Sequence, residues 1–578
     1  MEDFKQLIGT INGVIWHDAV LYVVLGVGIL FTVWSGFGQY RALTHGVSAV
    51  RGKFDHKTDP GAISHFQALS TALSATVGLG NIAGVAIAIS LGGPGALFWM
   101  WVVGFVGMAL KMTEVTQSML FRDTSDPDNP HGGPMWVCKR GLAKLNPKLA
   151  PVGSFIGAIF CLTLLVSTST GGNMFQAWNV ADISFTYFGL PQWIAGIILT
   201  IGVALVIIGG IKRIGEVASR VVPFMCGLYV LAGLAVIALN IGGVPDAFIL
   251  IFSEAFSPTE AGGAFVGGAA GYAFLKGMQR ALFSNEAGQG SAPIAHSAAK
   301  TDEPVREGVV AGLEPFIDTL CVCTLTGLVI LLSGAWNREP ALSFASAATV
   351  APVVANGGTV VTEAGLEEWQ IPPVRVAIAD EVAADRQMRE GTILFAVIAG
   401  DTNAETGGAR QKVIGELVGS EAVGWTAEFE FFEVQPGTTP TLAVDGVYFE
   451  FKGATLTAKA FDRVIPGIGI WIVPLAAWLF AFSTIISWSY YGEQGIVYLF
   501  GQRMVMPYRV VYCALIMVSV QLIRTEAELD LFSTFGTGVM LWANIPIMLI
   551  FGPMAMRAYK DYIRRLDDGE MTPEKEPA

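Results

Sequence analysis

The residues best suited to chemistry lie in Ser74-Ala75-Thr76-Val77-Gly78-Leu79-Gly80-Asn81-Ile82-Ala83-Gly84, inside an apolar run over about 66–91. The chemistry they offer is ligation rather than covalent catalysis. Glycine weakens a helix by roughly 1 kcal/mol per residue relative to alanine, so Gly78 and Gly80 mark a place where a membrane helix can break. A break frees backbone amides and carbonyls. In hydrocarbon each unsatisfied group costs several kcal/mol, so a break is tolerable where it lines a cavity and meets an ion or a small charged solute. Two other readings stand beside this one. Glycines in membrane helices also serve close packing. Gly78-Leu79-Gly80-Asn81-Ile82-Ala83 formally fits a relaxed dinucleotide fingerprint too, but the preceding run is long and helix-like and no acid follows between Phe98 and Gly104.

A second glycine-rich interruption, Gly262-Gly263-Ala-Phe-Val-Gly267-Gly268-Ala-Ala-Gly271-Tyr272-Ala-Phe274-Leu-Lys-Gly277-Met278, lies in a later apolar segment, and Phe482-Ser483-Thr484-Ile485-Ile486-Ser487-Trp488 places adjacent hydroxyls in another. Such hydroxyls either bond back to their own helix or complete a shell of oxygens around sodium. Charged residues within apolar segments are few: Lys111 with Glu114, Asp182 at a segment end, Lys276, Glu314 and Asp318. Intramembrane charges are functional candidates, although Lys111 and Glu114, three apart, can simply pair or snorkel. Nothing resembles an enzyme. The histidines are scattered without HExxH or ligand spacing, and no Walker motif is present.

These residues need membrane helices to position them. Of 578 residues 53% are hydrophobic and only 14% charged, which excludes an ordinary soluble protein. Spans of about 20 apolar residues are predicted near 17–38, 66–91, 95–120, 152–180, 190–210, 220–241, 264–284, 307–334, 467–491, 507–524 and 531–556. The expected class is thus an all-α polytopic membrane protein of eleven spans. The opening MEDFKQLIGT lacks a basic region and a cleavage site, so the first span reads as retained. Lysines and arginines of short loops (Arg41, Arg51, Lys53 and Lys57; Lys139, Arg140, Lys144 and Lys148; Lys212, Arg213 and Arg220; Lys300 and Arg306; Arg503; Arg557 to Arg565) all fall on one side. That places the N-terminus outside and the C-terminus in the cytoplasm. Spans 2–6 and 7–11 form two sets of five with opposite starting sides. Interrupted helices at matching places in two inverted halves point to a site near the midplane.

Residues 335–465 break the pattern, with twice as many acids as bases and no long apolar run. Strand-like alternation in 425–434 and 447–452, bounded by Pro436-Gly437 and Asp445-Gly446, predicts a β-rich insert outside the cytoplasm. The chain then divides into 1–334 (spans 1–8), the insert 335–465, 466–556 (spans 9–11) and a cytoplasmic tail, 557–578. Net charge of −13 argues against nucleic acid as a partner, and membrane lipid is the surrounding one. Oligomeric state is not legible. The six cysteines lie in or beside apolar segments, with no disulfide framework.

Four stretches carry a family resemblance: Val77-Gly78-Leu79-Gly80-Asn81-Ile82-Ala83-Gly84-Val85, Gly92-Gly93-Pro94-Gly95-Ala96, Gly132-Gly133-Pro134-Met135, and Phe283-Ser284-Asn285-Glu286-Ala287-Gly288-Gln289-Gly290-Ser291-Ala292-Pro293. Together they resemble the alanine or glycine:cation symporter family. The resemblance implies a fold similar to the bacterial leucine transporter, a 5+5 inverted repeat with one extra helix in front, and inward transport of alanine or glycine with sodium. It implies that the amides of Leu79 and Gly80, beside Gly78, hold the substrate carboxylate. It further implies that the carbonyls of Ser74 and Val77 join Ser483 and Thr484 around one sodium ion. Thr76 and Asn81 match positions that serve a second sodium in the leucine transporter, with Thr76 alternatively facing substrate. Gln176, Phe274 or Met278, and Trp488 match positions lining a small pocket, Gln176 toward the substrate amine. The expected function is a sodium-coupled importer of small neutral amino acids in the cell (inner) membrane, not an enzyme. A channel or a sensor with a ligand-binding outer domain is the alternative, although the spans supply no charged pore ring.

Overall fold

In the computed structural model, the described residues are 2–571 except 57, 258–263, 356–357, 363–364, 378–388, 402–406, 421, 452 and 524–525. Lys57, Gly262, Gly263 and Lys452, used above, therefore lie outside the described residues.

Long apolar sequences become helices because a helix satisfies its own backbone where no water can. The helices needed below are α1 (Glu2–Ile15), α2 (Asp18–Trp34), α3 (His65–Thr76), α4 (Val85–Gly92), α5 (Gly95–Phe121), α6 (Pro134–Leu145), α7 (Ala150–Ser169), α8 (Phe175–Phe188), α9 (Gln192–Ile207), α10 (Gly210–Leu239), α11 (Val244–Glu254), α12 (Ala270–Asn285), α13 (Ala292–His296), α14 (Pro304–Ala311), α15 (Thr324–Ser333), α16 (Gly453–Val464), α17 (Gly469–Phe500), α18 (Val505–Leu522) and α19 (Glu526–Asp567). Among the described residues seven helical runs are long and apolar enough to cross a membrane, or nine if each of two bent pairs is one span. Each of the eleven expected segments falls on helix. Two of them, α9 and α12, are 16 residues each and too short for that count.

Two expected segments are remade in detail. α12 begins only at Ala270, because the glycines before it favour irregular backbone, and it then runs unbroken to Asn285. Of the interruption expected within 262–278, the described part, 264–269, is non-helical with Gly267 at φ 83°, and a further break follows α12, where Glu286, Gly288 and Gly290 all take positive φ. The two short helices α6 and α11 lie where no span was expected.

Within 335–465, a seven-stranded antiparallel sheet is built around β1 (Val374–Ala377), β2 (Thr392–Ala399), β3 (Arg410–Ser420), β4 (Gly424–Phe429) and β5 (Tyr448–Phe449) in the order β1-β4-β3-β2-β5, with Ser343–Phe344 pairing β1 and Thr441–Leu442 pairing β2. Registers such as Ala396 opposite Val413 and Leu417 opposite Ala427 place alternate residues in one apolar core with Trp369 and Trp425, while Phe395, Val397 and Tyr448 cluster on the other face. The alternating run 425–434 is divided between β4 and a short strand, Phe432–Val434. α16 lies in the same segment but packs differently. Leu456, Ala460 and Phe461 are buried in the membrane-helix core, and Thr457 Oγ1 donates to the Ile82 carbonyl at 2.9 Å.

Candidate functional site

α3 starts from a capping box: Ser64 Oγ accepts from the Gln67 N–H, and Gln67 Oε1 accepts from the Ser64 N–H. Such a cap stabilises a helix start by about 1 kcal/mol. Eleven residues later the helix stops. Val77 leaves helical geometry at ψ 85°, and the chain resumes as a wide turn over Gly80–Gly84 before α4, bent by 49°. The glycines do two jobs here. A Cβ on Gly78 would meet Thr484 Oγ1 at 2.6 Å, and one on Gly80 would meet Phe283 and Ser284 at 3.4 Å, so the break is also a close-packing point.

The freed groups find protein partners. The Gly78 N–H donates to Asn81 Oδ1 at 2.9 Å, and the Leu79 N–H donates to Gln176 Oε1 at 3.2 Å. Gln176 Nε2 in turn donates to the carbonyl of Gly171, in another wide turn between α7 and α8. Asn81 Nδ2 points away, to Asp318 Oδ1 at 2.6 Å and to Cys323 Sγ. Ser284 and Thr319 hydroxyls donate to the same Asp318 carboxylate, so Asp318 fastens the first break to the end of α12.

The second break is held by the polar residues of its own sequence. Asn285 Oδ1 accepts from the Ala287 N–H, Gln289 Nε2 donates to the Leu282 carbonyl, and Ser291 Oγ donates to Glu286. The Gly290 N–H donates to Glu114. Between the two breaks lies a cavity of about 20 Å³, lined by Thr76, Gly78, Gly80, Gln176, Trp488, Phe283, Glu286 and Gln289 among others. That volume is room for about one water molecule.

The cavity thus gathers Thr76, Gly78, Gly80, Gln176 and Trp488, with Leu79 delivering its N–H to Gln176. Phe274 and Met278 are buried elsewhere: Phe274 stacks on Tyr22 at 5.2 Å and meets Trp99 edge-on at 4.8 Å between ring centroids. Phe283 takes that place instead, packing edge-on to Phe175 and close to Gly80 and Gly171. Glu286, Gln289, Ser167 and Thr537 are further lining residues without an assigned role in the sequence reading. For Phe283, Glu286 and Gln289 the signal was available, since all three belong to the motif Phe283–Pro293.

On the other side of the break, Ser74 Oγ donates to the Ser483 carbonyl at 2.6 Å. Ser483 Oγ bonds back to the Phe480 carbonyl. Thr484 Oγ1 and Ser487 Oγ are buried without a hydrogen-bond partner among the described residues. Three apart on α17, they share a helix face. An unsatisfied buried hydroxyl costs about 1–3 kcal/mol, which an oxygen-seeking cation would relieve.

A third arrangement lies deeper. His65 on α3 bonds Glu307 on α14; His296 Nδ1 meets Glu307 Oε1 at 2.5 Å and its Nε2 meets Glu314 Oε1 at 2.7 Å. Lys111 Nζ lies 3.3 Å from Glu314 and 3.9 Å from Glu114. Lys111 is wholly buried, so it pairs and does not snorkel. A neutral imidazole has one N–H, so contact with two carboxylates requires either an imidazolium or a protonated carboxyl.

Comparison with known proteins follows the same lines. The model of the sodium:alanine symporter family matches residues 1–363 and 438–576, leaving out 364–437. The sodium/alanine symporter AgcS of Methanococcus maripaludis is 35% identical over 510 residues, covering 88% of this chain and 87% of that protein. An uncharacterized transporter of Haemophilus influenzae is 32% identical over 572 residues, 97% of each chain. Among solved structures, MhsT in complex with L-phenylalanine gives a TM-score of 0.46 at 12% identity, covering 87% of this chain and 93% of that one.

Proposed function

The chain belongs to the sodium:alanine symporter family, and on that premise we propose that it imports a small neutral amino acid, alanine or glycine, together with sodium. The single observation that carries this reading is the Leu79 N–H at the helix break, held by the neutral amide of Gln176 at 3.2 Å beside a small cavity. A substrate carboxylate is a stronger acceptor than an amide oxygen. It would displace Gln176 Oε1 from Leu79, leaving the Gln176 side chain to turn toward the substrate. Trp488 and Phe283 limit the space for a side chain, which favours alanine and glycine over longer amino acids.

Sodium is cargo in this account. Oxygens of Ser74, Val77, Ser483 and Thr484 would surround it, with the buried hydroxyl of Thr484 the least committed of them. The ion would then bridge α3 and α17, which lie in different five-span sets in the inverted-repeat reading. Bridging makes ion and substrate binding interdependent, a reciprocal coupling of typically about 1–3 kcal/mol. Alternating access would be rocking of one set against the other around this site, with the basic loops on the cytoplasmic side of the membrane.

The test is uptake of labelled alanine and glycine into proteoliposomes under an imposed sodium gradient. Accumulation that follows the sodium gradient is expected. Uptake indifferent to sodium, or none of either amino acid, would sink the proposal.

A further inference from the structure

Glu286 is a buried carboxylate at an unusual place. It is only 2% exposed, lines the cavity between the breaks, and forms no ion pair among the described residues. One of its oxygens accepts from the Ser291 hydroxyl. Lys111, the cation within its electrostatic reach, is engaged instead by Glu314 at 3.3 Å.

Its backbone is equally telling. Glu286 caps the C-terminus of α12 with φ 55° and ψ 18°, a left-handed conformation that glycine or asparagine adopts far more readily. Glycine follows at 288 and 290, both also at positive φ, yet the first such position carries glutamate. The negative end of a helix is, in addition, the wrong place for an anion on grounds of stability. A costly conformer retained at a cavity wall points to function.

The same cavity is also bordered by groups of opposite polarity, at Gly78 and Gly80. The Leu79 N–H and Gly80 open the turn that leads into α4, a helix start and therefore a positive end. The cavity thus has an amide end that suits an anion and a carboxylate end that suits a cation. An α-amino acid is both at once.

We infer that Glu286 is the counter-charge for the substrate's α-ammonium group and so selects zwitterionic amino acids over carboxylic acids that lack an amine. The inference rests on the transport reading above and adds the group that the ammonium meets. Charge-assisted pairing in a desolvated cavity gives such a contact its strength, and an unpaired buried carboxylate repels an uncharged-tail anion.

The experiment is sodium-dependent binding of L-alanine and of L-lactate, which keeps the carboxylate and methyl but replaces the amine by hydroxyl, to the purified full chain. Wild type should bind alanine at least 100-fold tighter than lactate. Glu286→Gln should weaken alanine at least tenfold while lactate binding holds or tightens, collapsing the preference. Glu286→Asp, which keeps the charge, should retain a preference for alanine and serves if the first variant does not fold. Equal loss of both ligands, unchanged alanine affinity in Glu286→Gln, or no preference for alanine in wild type would overturn the role of Glu286. If wild type binds neither alanine nor glycine with sodium, the transport reading falls and takes this one with it.

Discussion

Two buried polar regions lie within one helix of each other and are built on opposite rules. At the first break, the freed N–H groups are met singly and by neutral partners, Leu79 by Gln176 and Gly78 by Asn81, while Thr484 Oγ1 has none among the described residues. In the charged chain from His65 to Lys111, each carboxylate faces a histidine or lysine, and the pairs tie α3, α5, α13 and α14 together. The difference teaches where a solute can enter. A desolvated ion pair resists exchange because removing one partner strands the other. A single neutral hydrogen bond, worth about 1 kcal/mol net, can be traded for a stronger one. Intramembrane charge alone therefore does not mark the transport site; here most of it holds the frame.

The sharpest way to break this comparison is to attack the frame. His296→Ala removes the imidazole that Glu307 and Glu314 share and strands one buried oxygen of each, a loss of about 3–5 kcal/mol for a broken buried pair. Thermal unfolding in detergent should show a large drop or no folded protein. A stable His296→Ala with normal melting would mean that the chain is not structural.

An attack on the break should spare folding and remove binding. A valine at Gly80 adds two methyls beyond a Cβ already 3.4 Å from Phe283 and Ser284. Gly80→Val should express and insert, yet lose alanine affinity by at least 100-fold, about 2.7 kcal/mol or more. Retained affinity, read by equilibrium binding, would remove the open-helix site.

Much of this was legible beforehand because it is written in residue types with few uses. A glycine pair in an apolar run has few reasons to exist, so the break at Val77 to Gly80 was visible, and its polar companion Asn81 with it. Thr484 was legible as a hydroxyl in a span, but which hydroxyl bonds back depends on the packing of α17, and of Ser483, Thr484 and Ser487 only Ser483 does so among the described residues. Phe274 and Met278 were misplaced by about a turn or two because the irregular stretch before Ala270 shifts the start of α12, which periodicity cannot register. Glu286 stood inside the motif Phe283–Pro293, but the left-handed backbone and the cavity wall that single it out within that motif are not written in residue types. The buried pairing of His65, His296, Glu307 and Glu314 joins residues far apart in sequence, so scattered histidines gave no hint of it.

The sheet within 335–465 supplies the smallest expected effect. Ala341 and Leu342 hydrogen-bond Val447, so the chain enters and leaves the sheet at one point. Replacing 343–446 by a short linker, while keeping α16 on the Ile82 carbonyl, should change sodium-driven alanine uptake by less than about threefold, roughly 0.6 kcal/mol in the barrier. Complete loss of uptake in a folded, inserted protein would instead make the sheet part of the transport cycle.

The central claim is that sodium and amino acid meet at the same break and strengthen each other's binding, and it is tested most directly by alanine affinity across a sodium titration in wild type, Ser483→Ala and Thr484→Val. In wild type, saturating sodium should tighten alanine by roughly 5- to 150-fold. Ser483→Ala, which removes a hydroxyl whose proton already serves the Phe480 carbonyl, should shift half-saturating sodium less than the change at Thr484 does. Thr484→Val, which keeps shape but removes the buried hydroxyl, should shift half-saturating sodium upward about tenfold, the worth of about 1.4 kcal/mol. A wild-type alanine affinity unmoved by sodium, or a Thr484→Val curve superimposable on wild type, would contradict the account.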